Sequence, residues 1–372
     1  MAHIKYDWKV LVSFCHAAFR KFCFTEEESN IITDVLITSD LYGIESHGMQ
    51  RISRYDKGIE KGMIKVEAKP EVVFETGVSA VLDAHDGMGQ LAGYKAMRLA
   101  IEKAKKSGIA IVTVRNSNHY GIAGYYAMMA AREGLIGFSC TNSEAIMVPT
   151  HARKAMLGSN PIAIAMPADP EPFLFDASTT VVTRGKLEMY NKAGKKLPEN
   201  WAENSSGIPT TNAGEVLTNI VNKAGGGILP LGGYNEQSGG HKGYGYGMIC
   251  EIFSSILSMG VTSNNTHLNG VGGTCHGFAA INPAIFGDPG EIRAHFSKFL
   301  EELREAPKAE GQTRIYTHGE KEAESVARIK KEGVPVDVKT AVEMKSMADY
   351  VGLDFEAYFG KLPEAGEYAT LY

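Results

Sequence analysis

The sequence predicts an α/β protein whose helical portion is built from both ends of the chain. Three observations carry that expectation. Between residues 76 and 320, short apolar runs bounded by glycine and polar residues alternate with stretches of helical periodicity. Residues 1–75 read as successive helices, and residues 321–372 read as helical again. The expected divisions are therefore 1–75, 76–320 and 321–372, with the last segment packing back on the first.

Each element rests on a local signal. Thr25 followed three residues later by Glu28 makes a capping box, and the helix it opens runs through Ile31, Ile32, Val35, Leu36 and Ile37 to Gly43. The next helix is expected to carry residues 46–55 and to end near Gly62. Strands are expected at 80–83, 109–114, 136–140, 162–166 and 173–176, with helices at 91–106 and 121–133. Residues 190–212, with Pro198, Gly207 and Pro209, form a polar excursion, and 225–247 form a glycine-dense loop. The apolar run 248–261 contains Glu251, is too short to cross a bilayer and reads as a buried helix. From about Pro289 the chain is helical, with charged stretches at 306–311 and 319–331. The alternation alone leaves parallel and mixed pairing open.

Composition narrows the class. A chain of 372 residues, 44% hydrophobic and 22% charged, can bury more than one core. A net charge of -5 and a pI near 6.2 supply no basic footprint for nucleic acid. The cysteines are five, an odd number with no C-x-x-C pair, which favours reduced thiols and a cytoplasmic setting over a disulfide or zinc scaffold. No secretory leader or membrane span is visible.

The most informative polar stretch is Ser46-His47 with Arg51, Arg54 and Tyr55. His47, Arg51 and Tyr55 are spaced i, i+4 and i+8, so a helix would align them on one face. An arginine fork suits a carboxylate, and an imidazole exchanges a proton near neutral pH. The competing reading is a solvated polar face. A nicotinamide fingerprint is poorly supported: Gly87-Met-Gly89-Gln-Leu-Ala-Gly93 follows a strand holding polar residues, and the strand 109–114 runs into Arg115 where ribose recognition needs an acid. Other polar turns recur at strand ends: Asn118-His119-Tyr120-Gly121, Thr141-Asn142-Ser143-Glu144 and Gly158-Ser159-Asn160-Pro161. His241 and Lys242 lie among glycines, where backbone and charge can approach a phosphate.

Taken in order, Ser46-His47-Gly48 with Arg51, Asn118-His119-Tyr120-Gly121, Gly158-Ser159-Asn160-Pro161, Phe175-Asp176-Ala177-Ser178-Thr179, Gly185-Lys186 and His241-Lys242-Gly243-Tyr244-Gly245 resemble the type-2 malate/L-lactate dehydrogenase family. Trp201-Ala202 and Gly207-Ile-Pro-Thr-Thr add a further match, and the similarity runs from about residue 10 to 335. The resemblance implies a mixed-sheet, non-Rossmann nucleotide-binding domain and a helical domain formed from the N- and C-terminal segments. It implies NAD as cofactor, with NADP the alternative, and a homodimer with the site near the interface. Ser143, Asp176, Ser178, Thr179, His241, Lys242 and Gly243 would contact the nucleotide, with Gly319 and Glu320 in a late turn beside it. His318 stands where the family has proline in that turn, and Phe175-Asp-Ala-Ser-Thr departs from the family order of hydroxyls.

The same resemblance implies interconversion of a small 2-hydroxy acid and its 2-oxo acid, malate and oxaloacetate foremost. Lactate, sulfolactate, ureidoglycolate and diketogulonate are the alternatives. Arg51 and Tyr55 would hold the substrate; either His47, partnered by Ser46, or His119 would move the proton while the nicotinamide exchanges hydride. Arg54 is a candidate for a second carboxylate. A non-catalytic binding module needs no titrating group, and a metal-dependent lyase using His47, His119 and Asp176 lacks ligand spacing, so no metal is expected.

Overall fold

The computed structural model describes residues 3–266 and 272–362. The chain opens with β1 (His3–Tyr6), α1 (Trp8–Lys21) and α2 (Glu26–Leu41), and α3 follows at Ile52–Glu60. α2 starts at the predicted capping box. Glu28 N donates to Thr25 Oγ1 at 3.2 Å, and Thr25 N donates to Glu28 Oε2 at 3.0 Å, an arrangement that contributes about 1 kcal/mol.

The single helix expected through residues 46–55 does not form. Two 3-10 turns, Glu45–His47 and Met49–Arg51, replace its first half, separated by Gly48 at φ -90°, ψ -138°. That backbone lies outside the helical region and breaks the 3.6-residue period. His47, Arg51 and Tyr55 therefore do not share one helical stripe.

Next come β2 (Glu71–Glu75), β3 (Ser79–Asp83), α4 (Gly89–Ser107), β4 (Ile109–Ser117), α5 (Ala123–Arg132), β5 (Ile136–Thr141), β6 (Ile162–Met166) and β7 (Phe173–Ala177). Every strand and helix expected between 80 and 177 is present. The polar excursion folds as a small unit: α6 (Arg184–Lys192), β8 (Ala202–Glu203), α7 (Ala213–Asn222) and β9 (Gly227–Ile228) enclose Ile146, Leu187, Leu197 and Val216.

α8 (Gly240–Glu251) begins inside the stretch expected to be loop, then continues as a π-helical turn at Ile252–Ile256. It is also not the buried apolar helix expected. Glu251, Ser254 and Ser255 point inward, whereas Tyr246, Ile249, Ile252 and Ile256 are exposed, Ile256 by 50%. The chain finishes with β10 (Thr274–Ile281), α9 (Pro289–Glu305), α10 (Glu320–Glu332), β11 (Val334–Asp337), α11 (Val338–Val351) and α12 (Phe355–Phe359).

Seven strands form the main sheet in the order β2-β3-β4-β10-β5-β6-β7. Only β3 and β4 pair in parallel; every other neighbour is antiparallel. The sheet is mixed, and its central strand, β10, has no counterpart among the sequence expectations. Because β10 runs opposite to both β4 and β5, the C-terminal ends of β4, β5 and β7 and the N-terminal ends of β6 and β10 meet along one edge. That edge gathers most of the polar turns.

The Gly87, Gly89 and Gly93 run serves packing. A Cβ on Gly89 would overlap the Asn118 and His119 carbonyl oxygens, and one on Gly93 would overlap the Tyr126 ring. α4 thus lies close against the β4–α5 loop, which needs small residues and no phosphate. A separate core joins α1, α2 and α3 to α11 and α12 through Phe14, Phe19, Leu36, Met344 and Phe355. β1 and β11, neither expected, close it as an antiparallel pair, with Ile4 opposite Val336.

Candidate active site

The two competing histidines lie in one site. Their rings stack with centroids 5.4 Å apart and planes inclined by 30°. His47 comes from the first 3-10 turn and His119 from the β4–α5 loop, so the helical portion and the sheet edge each supply one. Ser46 Oγ lies 2.9 Å from His47 Nδ1. Tyr55 Oη lies 2.8 Å from His119 Nδ1, and the Gly121 N–H points at the same nitrogen from 3.4 Å. A nitrogen facing an N–H carries no proton of its own, so Tyr55 donates and His119 holds its proton on Nε2. Tyr55, expected to touch substrate, has its hydroxyl on His119 and its ring buried.

Burial sets the charge state. It pushes His47 down to about 3, helped by Arg51 and Arg54, and pushes His119 well below its usual value, helped by Arg54, His47 and Arg51. Both rings are neutral at pH 7. Burial likewise holds the Tyr55 hydroxyl up at about 12, so it keeps its proton. Arg51 is held below the usual guanidinium range by burial and by Arg54, and its buried Nε has no hydrogen-bond partner among the described residues. A guanidinium in that state invites an anion, because an unpaired buried donor carries a desolvation cost that a carboxylate removes. Arg51 and Ser46 line a cavity of about 520 Å³ whose far wall is α6, through Thr183, Gly185 and Lys186.

The sheet edge collects the expected nucleotide residues. Ser159 N donates to Ser143 Oγ at 3.1 Å, Thr179 N donates to Ser159 O at 2.9 Å, and Leu231 N donates to Thr179 O at 2.9 Å. Leu231 in turn packs so closely on Gly243 that a Cβ there would overlap its backbone. Ser143, Thr179 and the start of α8 are thereby joined in one run. Asp176 ends β7 and accepts from Gly124 N at 2.7 Å; burial raises its carboxyl to about 6. Ser178 Oγ donates to Thr180 O at 3.3 Å. His241 and Lys242 sit exposed in the first turn of α8, after Gly239 at φ +91°. Gly319 and Glu320 lie on the outer flank of β7, where Leu174 N donates to His318 O at 3.1 Å. There the His318 ring packs on Phe173 and Phe175 at 5.5 and 5.4 Å, which accounts for an aromatic ring at that turn.

Two groups escaped sequence reasoning. His276, on β10, is fully buried, stacks on Tyr120 at 4.3 Å and bridges the ends of both neighbouring strands. Thr141 Oγ1 gives its proton to Cys275 O, so it accepts from His276 Nδ1 at 2.8 Å; Nε2 then takes the Ser117 hydroxyl at 2.9 Å. Glu251 is buried, pairs with no cation among the described residues, and is held by Asn160 Nδ2 at 3.0 Å, Ser255 Oγ at 2.6 Å and Ser263 Oγ. Asn160 Oδ1 also accepts from Ser143 N at 3.1 Å. The sequence signal for each was a lone polar residue in an otherwise apolar or small-residue run.

A pair of neutral imidazoles beside a buried, unsatisfied guanidinium can exchange a proton with a hydroxyl or carbonyl oxygen next to a carboxylate. The model of the malate/L-lactate dehydrogenase family matches residues 6–345, so the chain belongs to that family and is an oxidoreductase of the hydroxy-acid dehydrogenase type. Among its relatives, malate dehydrogenase of Pyrococcus abyssi is 45% identical over 347 residues, covering 92% of this chain and 94% of the relative. L-sulfolactate dehydrogenase of Methanocaldococcus jannaschii is 34% identical over 345 residues, covering 91% and 95%. The crystal structure of malate dehydrogenase from Entamoeba histolytica superposes with a TM-score of 0.91 at 36% identity, covering 95% of this chain and 99% of that one.

Family membership implies a nicotinamide cofactor. The residues at the sheet edge fit one: hydroxyls at Ser143, Ser178 and Thr179 suit sugar contacts, and the start of α8 with Lys242 suits a phosphate. Among the described residues no helix is long and apolar enough to cross a membrane, and no cluster of three His, Cys, Asp or Glu could hold a metal.

Proposed function

We propose that the protein interconverts malate and oxaloacetate with NAD or NADP in the cytoplasm, Arg51 binding the substrate's 2-carboxylate and His47 moving the proton. The observation that carries this reading is the stacked His47–His119 pair beside the unsatisfied Arg51 Nε. The names of the relatives at 45% and 44% identity favour malate over sulfolactate, named in those at 34%. Arg54, exposed next to the site, supplies a cation for a second carboxylate.

The two imidazoles divide the work by their partners. His119 Nδ1 is tied by Tyr55 Oη and faced by Gly121 N, so its Nε2–H is fixed as a donor that orients and polarises the substrate oxygen. His47 meets a serine hydroxyl, which can turn from donor to acceptor as the ring gains or loses a proton, so His47 is the acid/base. An arriving carboxylate neutralises Arg51, the charge that most opposes protonation of His47 after burial itself. Substrate binding thus readies the ring to take the hydroxyl proton in oxidation and to return it in reduction. Ser143, Asp176, Ser178, Thr179, His241, Lys242 and Gly243 are assigned to the nucleotide, with Gly319 and Glu320 flanking it. That nucleotide, when bound, supplies the hydride acceptor or donor.

A second copy of the chain is proposed to cover the exposed apolar stripe of α8. The helical core and the sheet core are proposed as separate domains, divided near residues 75 and 320. The test of function is a spectrophotometric panel of NADH and NADPH against oxaloacetate, pyruvate, sulfopyruvate and 2-oxoglutarate. Oxaloacetate is expected to give the highest kcat/KM; nicotinamide-independent turnover abolished by EDTA would sink the reading.

A further inference from the structure

The two 3-10 turns that carry His47 and Arg51 contain no α-helical hydrogen-bond ladder, so something outside them must fix their shape. Asp40, in the last turn of α2, is that contact. Its Oδ2 accepts from Met49 N at 2.8 Å, in the middle of the second turn. Its carboxyl also presses on Gly48, where an added Cβ would overlap the carboxylate. Asp40 is 3% exposed, yet it borders the cavity lined by Ser46 and Arg51. No cation pairs with it among the described residues, so its desolvation is not offset by a salt bridge. A carboxyl in that position is costly as a mere core residue.

We propose that Asp40 is a positioning residue, holding the His47–Arg51 turns through the Met49 amide and the Gly48 backbone so that imidazole and guanidinium meet one substrate. This rests on the dehydrogenase reading given above. Glu45 from the first turn and Cys15 from α1 act electrostatically with Asp40, and His3 from β1, Arg51 from the second turn, and Lys339 and Glu343 from α11 line the same cavity. Burial, then Glu45, raises its carboxyl to about 8 against the Met49 hydrogen bond. The clamp is therefore neutral at pH 7 and becomes charged in mildly alkaline solution. A neutral amide of the same shape reproduces the first state and not the second.

The test compares Asp40→Ala, Asp40→Asn and Gly48→Ala with the wild type, in oxaloacetate reduction from about pH 6 to 9. Asp40→Ala is expected to lower kcat about 10- to 100-fold, the effect of a misplacement near 1 Å, with NADH binding unchanged by fluorescence. Asp40→Asn is expected to stay within about threefold of wild type at pH 7 and to lose the wild-type inflection near pH 8. Asp40→Ala within threefold of wild type, or Asp40→Asn falling as far as Asp40→Ala, overturns the proposal. Should Asp40→Ala not fold, Gly48→Ala decides it: a tenfold loss of kcat supports the clamp and an unchanged kcat overturns it. If the wild type turns over no 2-oxo acid, the dehydrogenase reading fails by itself. The clamp is then judged by the Met49 amide in a methionine-labelled NMR sample. Its shift is expected to move on Asp40→Ala and to stay close to wild type in Asp40→Asn, which keeps an acceptor for Met49 N; an equal displacement in both variants overturns it.

Discussion

At the scale of single residues, the candidate site keeps its imidazoles uncharged beside two guanidinium groups. His47 and His119 are neutral because they are buried beside Arg51 and Arg54. Replacing either with alanine is expected to lower kcat by about 10²- to 10⁴-fold, as for other general acid–base groups. Of the two, only His47→Ala should also remove the imidazole limb of the kcat–pH profile, which is separate from the Asp40 inflection; retention of that limb would reassign the proton to His119. Tyr55→Phe deletes the hydroxyl on His119 Nδ1 and is expected to lower kcat about tenfold with KM little changed. Arg51→Ala is expected to raise KM for the 2-oxo acid by more than tenfold, since a bidentate charged contact contributes about 1.5–3 kcal/mol. An unchanged KM would remove Arg51 from the substrate pocket.

At the scale of elements, α8 is inside out. Its polar side holds Glu251 in a hydroxyl network, while Tyr246, Ile249, Ile252 and Ile256 face outward from the described chain. A second copy would bury that stripe. Ile252→Asp with Ile256→Asp is expected to shift the protein from dimer to monomer by analytical ultracentrifugation; a wild-type monomer would refute the arrangement. The same helix shows what the sequence withheld. An apolar run reads as buried because periodicity reports amphipathicity, not which side faces the core. The Thr25 capping box and the runs at 109–114 and 136–140 were legible, because their signals are local. β10 was not: Thr274-Cys-His-Gly-Phe-Ala-Ala-Ile mixes small and polar residues, with Gly277 required by the close approach of the Phe253 carbonyl and His276 satisfied by two other strands. The candidate site residues His47, Arg51 and His119 were legible by type and order. Their arrangement was not, since Gly48 breaks the helix that would have aligned them.

At the scale of the molecule, buried ionisable groups make stability depend on pH in two opposing ways. Burial raises Asp40 to about 8 and Glu203 to about 7, from 3.8 and 4.5 in the exposed groups. The native state therefore holds protons that the unfolded chain has released, and stability falls as pH rises through that window. His47 and His276 behave oppositely: both are pushed to about 3 from 6.5, so the unfolded chain binds protons the native state refuses, and stability falls as pH drops below 6.5. Asp176, raised to about 6, opposes the histidines over part of that range. The thermal midpoint is expected to decline from about pH 6.5 towards pH 8, where the histidines no longer titrate, with Asp40→Asn flattening the decline. A midpoint that climbs steadily to pH 8 in calorimetry would contradict this.

The pairing of β1 with β11 has a consequence for synthesis. One wall of the cavity beside Arg51 is built from Pro335, Asp337, Lys339 and Glu343, and β1 has no partner strand until β11 has been made. A chain emerging from the ribosome can complete its sheet from residues up to 281, but the pocket around Arg51 stays open-sided until the polypeptide is nearly finished. The order of translation thus makes closure of the cavity beside Arg51 one of the last steps the nascent protein completes.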